Sequence, residues 1–169
     1  MHLQTFVSRT AALALVALSL AACTTTDLNT PRTGQAPVVA PPAQRQALFV
    51  RPATGATIAR FDGVRIKGID IAGNLGDPVV ASADGRVVYV GGELPAYGNM
   101  IIVKHNETYL TAYAHLQTIG VKENQVVRQG EKIGEMGKSN TDRVKLRFEV
   151  RKNGNAVNPE PYLNGLLLQ

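Results

Sequence analysis

The chain has no tryptophan, one cysteine and only 5% aromatic residues in 169 positions. Stacking platforms of the kind that nucleic-acid and sugar binders use are therefore scarce. A lone cysteine, Cys23, excludes an internal disulfide. No apolar run reaches the roughly 20 residues that a bilayer-spanning helix needs; the longest, Ala11 to Leu20, is about half that. No stretch keeps a helical period over three turns, which argues against a helical domain. Charge of one sign is not extreme: 18 basic residues face 13 acidic ones, for a formal +5. That excess suits an anionic polymer or an acidic protein surface without singling out either.

The first 22 residues read as an export leader, with Arg9 before the apolar run and the small residues Ala21 and Ala22 after it. Leu20-Ala21-Ala22-Cys23 resembles the bacterial lipobox, which makes Cys23 the expected lipidation site. Several acyl chains on one residue hold a protein stably to a membrane. Thr24, rather than Asp, follows Cys23, and in proteobacterial lipoproteins this resemblance implies the outer membrane, with the protein facing the periplasm. An exported protein of this kind meets no nucleic acid.

Residues 23–47 are rich in Thr, Pro, Ala and Gln and poor in large apolar groups, so they cannot bury enough surface to offset their ordering entropy. They read as a tether with a reach of about 25–30 Å. The domain expected over 48–169 is all-β, a two-sheet sandwich or barrel-sandwich hybrid. Short runs rich in Val, Ile and Tyr recur at Ala56 to Phe61, Pro78 to Ser82, Gly85 to Val90, Met100 to Lys104, Tyr109 to Tyr113 and Lys145 to Arg151. Asp84-Gly85, Gly91-Gly92 and Asn153-Gly154 mark turns between them. A lipoyl- or biotinyl-carrier reading fails, because Met136-Gly137-Lys138 lacks the context of a modified lysine. A phosphate loop at Gly137-Lys138-Ser139 fails too, since Lys132 stands where its first glycine belongs.

Five blocks then occur in order: Gly68-Ile69-Asp70 with Gly76-Asp77-Pro78, Tyr97-Gly98-Asn99, Tyr113-Ala114-His115-Leu116, Val127 to Gly134, and Leu146 to Arg151. Together with Pro52 to Gly55 upstream, they resemble the lysostaphin-type (LytM, peptidase family M23) domain. The resemblance implies a zinc held by His-x-x-x-Asp and by the second histidine of a closing His-x-His strand, with two further catalytic histidines. Carried over by position, the first ligand is Ile66, the second Asp70 and the third Arg147. The catalytic positions are His115, which is kept, and Lys145, which is not. Ile66 has no lone pair and arginine stays protonated, so no zinc cofactor and no catalytic residue is expected.

A bidentate Asp70–Arg147 pair is one expected substitute for the metal. Without a metal, His115 can serve simply by bonding a backbone carbonyl; His105 reads as structural. Lys145 is either a solvated strand residue or a cation that grips an acidic partner. Only Leu94-Pro95-Ala96 separates Glu93 from Tyr97, so the groove around Ile66, His115, Lys145 and Arg147 is expected to be open. Degenerate domains of this type resemble activators of cell-wall amidases, which implies a non-catalytic regulator of peptidoglycan hydrolysis acting on an N-acetylmuramoyl-L-alanine amidase during cell separation. The alternatives are a passive peptidoglycan-binding tether and an atypical endopeptidase.

Overall fold

The computed structural model describes residues 48–164. The expected leader (1–22), Cys23, the tether (23–47) and residues 165–169 lie outside the described residues. No helix among the described residues is long and apolar enough to cross a membrane.

The described residues form two antiparallel sheets. The larger contains β1 (Thr57–Ala59), β2 (Ile69–Ala72), β4 (Gly85–Gly91), β5 (Met100–Lys104), β6 (Tyr109–Ala114), β8 (Val126–Val127), β10 (Lys145–Lys152) and β11 (Asn155–Val157). The smaller contains β3 (Pro78–Val80), β7 (Leu116–Ile119) and β9 (Lys132–Met136). Spatial order is β1-β2-β10-β6-β5-β4-β8, with β11 paired to β10, and β3-β9-β7. The expected all-β, two-sheet architecture is present, with one helical turn, α1 (Glu160–Leu163), added at the end. That turn, carrying Pro161, is too short to show a period in sequence.

Alternation along the strands sorts side chains into two layers. On β10, Leu146, Phe148 and Val150 are buried in the main core, and on β2 so are Ile69 and Ile71. The smaller sheet meets them with Val79, Leu116, Ile133 and Met136. The opposite face of β10 carries Lys145, Arg147, Glu149 and Arg151. Beside them, Met100, Ala112 and Ala114 form a second apolar patch covered by Tyr89, Tyr97 and Ile102.

Two glycines allow close approaches that shape this outer face. A Cβ on Gly68 would lie 2.0 Å from the Phe148 carbonyl oxygen, so only glycine lets the chain enter β2 alongside β10. Gly98 has φ +58, and a Cβ there would lie 2.5 Å from the Ser139 carbonyl oxygen.

The termini of the described domain close on an aromatic cluster. Phe49 lies 5.1 Å from His105 and 5.9 Å from Tyr109, and its N–H donates to the Tyr162 carbonyl. The ring of His105 bonds the Asp84 carbonyl through Nδ1 and the Thr111 hydroxyl through Nε2, which agrees with a structural role.

Candidate functional site

β2 and β10 pair so that Asp70 stands directly opposite Arg147, and Ala72 opposite Lys145. Strand alternation therefore brings one carboxylate and two cations to the same patch of the outer face. Arg147 Nε donates to Asp70 Oδ1 in a short bond, while Arg147 Nη2 (3.1 Å) and Lys145 Nζ (2.9 Å) both donate to Oδ2. The Asp70 side chain is 5% exposed, against 13% for Lys145 and 15% for Arg147. The expected bidentate Asp70–Arg147 pair is thus present, with Lys145 as a third member.

Burial pushes the Asp70 carboxyl up, but hydrogen bonds from Arg147 and Lys145 outweigh it and hold the group below its ordinary value. The Arg147 guanidinium is correspondingly raised, chiefly by its bond to Asp70.

His115 occupies the corner at which the chain leaves β6 in the larger sheet and enters β7 in the smaller one. Its backbone is left-handed, φ 65, a strained conformation for a side chain other than glycine. Three bonds hold the corner: His115 N–H to the Tyr97 carbonyl (2.9 Å), Leu116 N–H to the Asn99 carbonyl (3.0 Å), and His115 Nδ1–H to the Ser139 carbonyl (2.9 Å). Because a carbonyl can only accept, Nδ1 carries the proton of the neutral ring. Burial lowers the imidazole's proton affinity, the Ser139 carbonyl works against that, and Lys145 and Arg147 lower it further.

Ile66 follows a turn in which Asp62 Oδ1 accepts the N–H groups of Val64, Arg65 and Ile66, each at 2.8 Å. It supplies no polar atom to the cluster. The cavity beside the network, about 260 Å³, differs in its walls from the expected groove: Ile58, Ala59, Asp70, Asp142, Arg143 and Lys145 line it, while Ile66, His115 and Arg147 do not. Arg147 is folded onto Asp70, and His115 is held under Ser139.

A neighbouring pair on the same strand has no role in the family resemblance. Glu149 is fully buried, and its Oε2 accepts from Arg151 Nε (3.0 Å) and Nη2 (2.8 Å). Arg151 Nη2 lies 3.4 Å from the Tyr97 hydroxyl. Period-two alternation from Arg147 onward would have placed Glu149 and Arg151 on the same face.

These shifts set the sign of the pH dependence. Asp70 lies below its ordinary 3.8 and His115 below 6.5. A depressed folded value means stability that is complete above the unfolded value and lost as pH falls through the folded one. Unfolding free energy from denaturant titrations should therefore be flat above about pH 6.5, decline modestly below it, and drop steeply below about pH 4. Stability that grew on acidification from pH 7 to pH 4 would contradict this assignment of charges.

Comparison with known proteins places this geometry. The sequence model of peptidase family M23 matches residues 64–159, more than half of the chain. The lipoprotein NlpD/LppB homolog of Pseudomonas aeruginosa is 50% identical over 135 residues, which cover 79% of this chain and 45% of that protein. The murein hydrolase activator NlpD of Escherichia coli is 55% identical over 97 residues, covering 57% of this chain and 26% of that one. The chain thus spans less than half the length of these two curated relatives. Among solved structures, a zinc-containing peptidase from Vibrio cholerae superposes with a TM-score of 0.62 at 30% identity, over 68% of this chain and 39% of that one. The catalytic domain of lysostaphin from Staphylococcus simulans gives 0.55 at 27% identity, over 66% and 88%. The matched region holds the smaller sheet, every strand of the larger one except β1, the Asp70 network and His115, and the chain belongs to peptidase family M23.

Proposed function

We propose that this chain is a non-catalytic regulator of peptidoglycan hydrolysis, anchored through Cys23 to the outer membrane and facing the periplasm, and that it activates a cell-wall amidase. The observation that carries the proposal is the state of Asp70. A metal ligand must offer a lone pair in an open direction, yet Arg147 and Lys145 donate three hydrogen bonds to this carboxylate and take three of its roughly four acceptor sites. The other two positions at which the family resemblance puts zinc ligands are Ile66 and Arg147 itself. A cation seated on the only remaining carboxylate repels Zn²⁺, and the residues present do not fit the metal. Among the described residues no group of three His, Cys, Asp or Glu side chains has metal-binding spacing.

The names of the relatives support the rest of the reading: NlpD of E. coli and of Salmonella typhimurium are called murein hydrolase activators, and that of P. aeruginosa a lipoprotein homolog. The amidase, rather than another wall hydrolase, is our own finer step, as is the boundary of the tether at residue 47. An activator of this kind works by binding the open form of the hydrolase more tightly than the closed one, and the population shift is limited to that difference in affinity. Release of dye from labelled peptidoglycan tests the proposal. The soluble domain alone should release none above background, and added to the amidases of the same cell it should stimulate at least one.

A further inference from the structure

The segment that enters the domain, Leu48 to Pro52, lies as a strap along the edge of β3. Val50 N–H donates to the Ser82 carbonyl (2.8 Å) and Val80 N–H to the Pro52 carbonyl (3.0 Å), the pattern of a short antiparallel pair. Phe49 anchors the strap. Its ring is buried and packs on those of His105, Tyr109 and Tyr162.

Beneath that anchor a chain of hydrogen bonds runs from the same Ser82 to Asp84. Ser82 N–H lies 2.8 Å from the Tyr113 hydroxyl, that hydroxyl 2.8 Å from Thr111 Oγ1, Thr111 Oγ1 2.8 Å from His105 Nε2, and His105 Nδ1 2.7 Å from the Asp84 carbonyl. The two ends set its direction, because a backbone N–H can only donate and a carbonyl can only accept. Each group between them therefore passes one hydrogen along: Tyr113 to Thr111, Thr111 to Nε2, and Nδ1–H to Asp84. A neutral ring satisfies every member. A second proton fits at Nε2 only if Thr111 turns its hydrogen to Tyr113, and the Tyr113 hydrogen then loses its acceptor. The Ser82 hydroxyl, buried with no hydrogen-bond partner, is not placed to take it.

Burial lowers the proton affinity of the His105 ring, and the Asp84 carbonyl and carboxylate oppose that without reversing it. Other charges on the elements around the ring are engaged elsewhere: Arg51 with Gly55 and Thr57, Arg86 with Asn124, Lys104 with Glu107, Glu131 with the Arg128 N–H, and Glu160 with Arg60. A cavity of about 290 Å³, walled in part by Leu48, Phe49, Asp84 and Tyr109, brings solvent up to His105.

We propose that residues 48–52 are an acid-released strap: a proton on His105 breaks the chain beneath Phe49 and frees the strap from β3. The tether expected over residues 23–47 joins the domain at this strap, so its release lengthens the connection. It also leaves the Ser82 carbonyl and the Val80 N–H on an open sheet edge, able to pair with another extended segment. A group whose proton affinity is lowered in the closed form shifts the balance towards the open form as pH falls.

Amide hydrogen exchange of the soluble chain from Thr24 onward tests this, read at pH 7 and pH 5 and corrected for the intrinsic rates. Protection of the Val50 amide should fall roughly tenfold at the lower pH, while amides of the β2–β10 ladder keep theirs. In His105→Gln, which cannot take up the proton, the protection of Val50 should not change with pH. NMR titration of the wild-type His105 ring supplies a second reading that needs no variant, and its midpoint should coincide with that of the Val50 loss. Equal Val50 protection at both pH values in the wild type, the same loss in His105→Gln, or a loss whose midpoint differs from that of the ring would each overturn the strap.

Discussion

Asp70→Ala is expected to cost about 3 kcal/mol of folding stability, equivalent to a fall in Tm of roughly 10 °C for a domain of this size. The substitution removes the only carboxylate bonded by Lys145 and Arg147 and leaves two like charges side by side, largely shielded from water. Removing one member of a buried ion pair typically costs about 3–5 kcal/mol. The lower end applies here because both cations keep some exposure and long stems with which to reach solvent. The same change made in a Lys145→Met, Arg147→Met background should cost far less, since no cation is then stranded. A Tm unchanged in the single variant would mean that the pair does not staple β2 to β10.

The second large effect concerns metal. If the occupants of the ligand positions exclude zinc, as we propose, then Ile66→His combined with Arg147→His, with Asp70 retained, should confer binding. The double variant frees both Asp70 oxygens from the guanidinium and supplies two imidazoles, a set typical of a site with one open coordination position. After dialysis against zinc and then buffer, elemental analysis should find about one equivalent in the variant and less than about a tenth in the wild type. Stoichiometric zinc in the wild-type domain would show that Asp70 does not spend its oxygens as described. A variant that folds but holds no zinc would show that the positions inherited from the family no longer converge.

Much of this was legible because strand alternation and the ordered blocks are local signals. The runs at Gly85 to Val90, Met100 to Lys104 and Lys145 to Arg151 correspond closely to β4, β5 and β10; Ile101 and Val103 on β5 and Leu146, Phe148 and Val150 on β10 face the core at a period of two, while an irregularity between Val87 and Tyr89 interrupts it on β4. Ile69 to Ala72 drew notice as a motif rather than as a strand, because Asp70 interrupts its apolar character; its pairing with β10 depends on a residue 77 positions away. The passage of the chain from β6 in the larger sheet to β7 in the smaller one turns on His115, and a positive φ at histidine has no signature in composition.

At the site, exchanging a ligand for arginine opposite a retained aspartate pointed to their pairing. That Lys145 joins the same carboxylate was left open, because a side chain two residues away on the strand can turn either to solvent or to its neighbour. Asp142 and Arg143 belong to the loop before β10 and come to the cavity only through the fold. Glu149 and Arg151 fall on the face of Arg147 by strand alternation, but the family motif assigns roles only to the histidine positions and gives no sign that they pair.

We propose that the vacated ligand positions of the peptidase scaffold serve a partner. Dye release from purified, labelled peptidoglycan measures it most directly, with the soluble domain alone, each amidase of the same cell alone, and the two together. The account predicts no release above background by the domain, and at least one amidase whose release rises several-fold when the domain is added. Release by the domain alone, abolished by a zinc chelator, would contradict it.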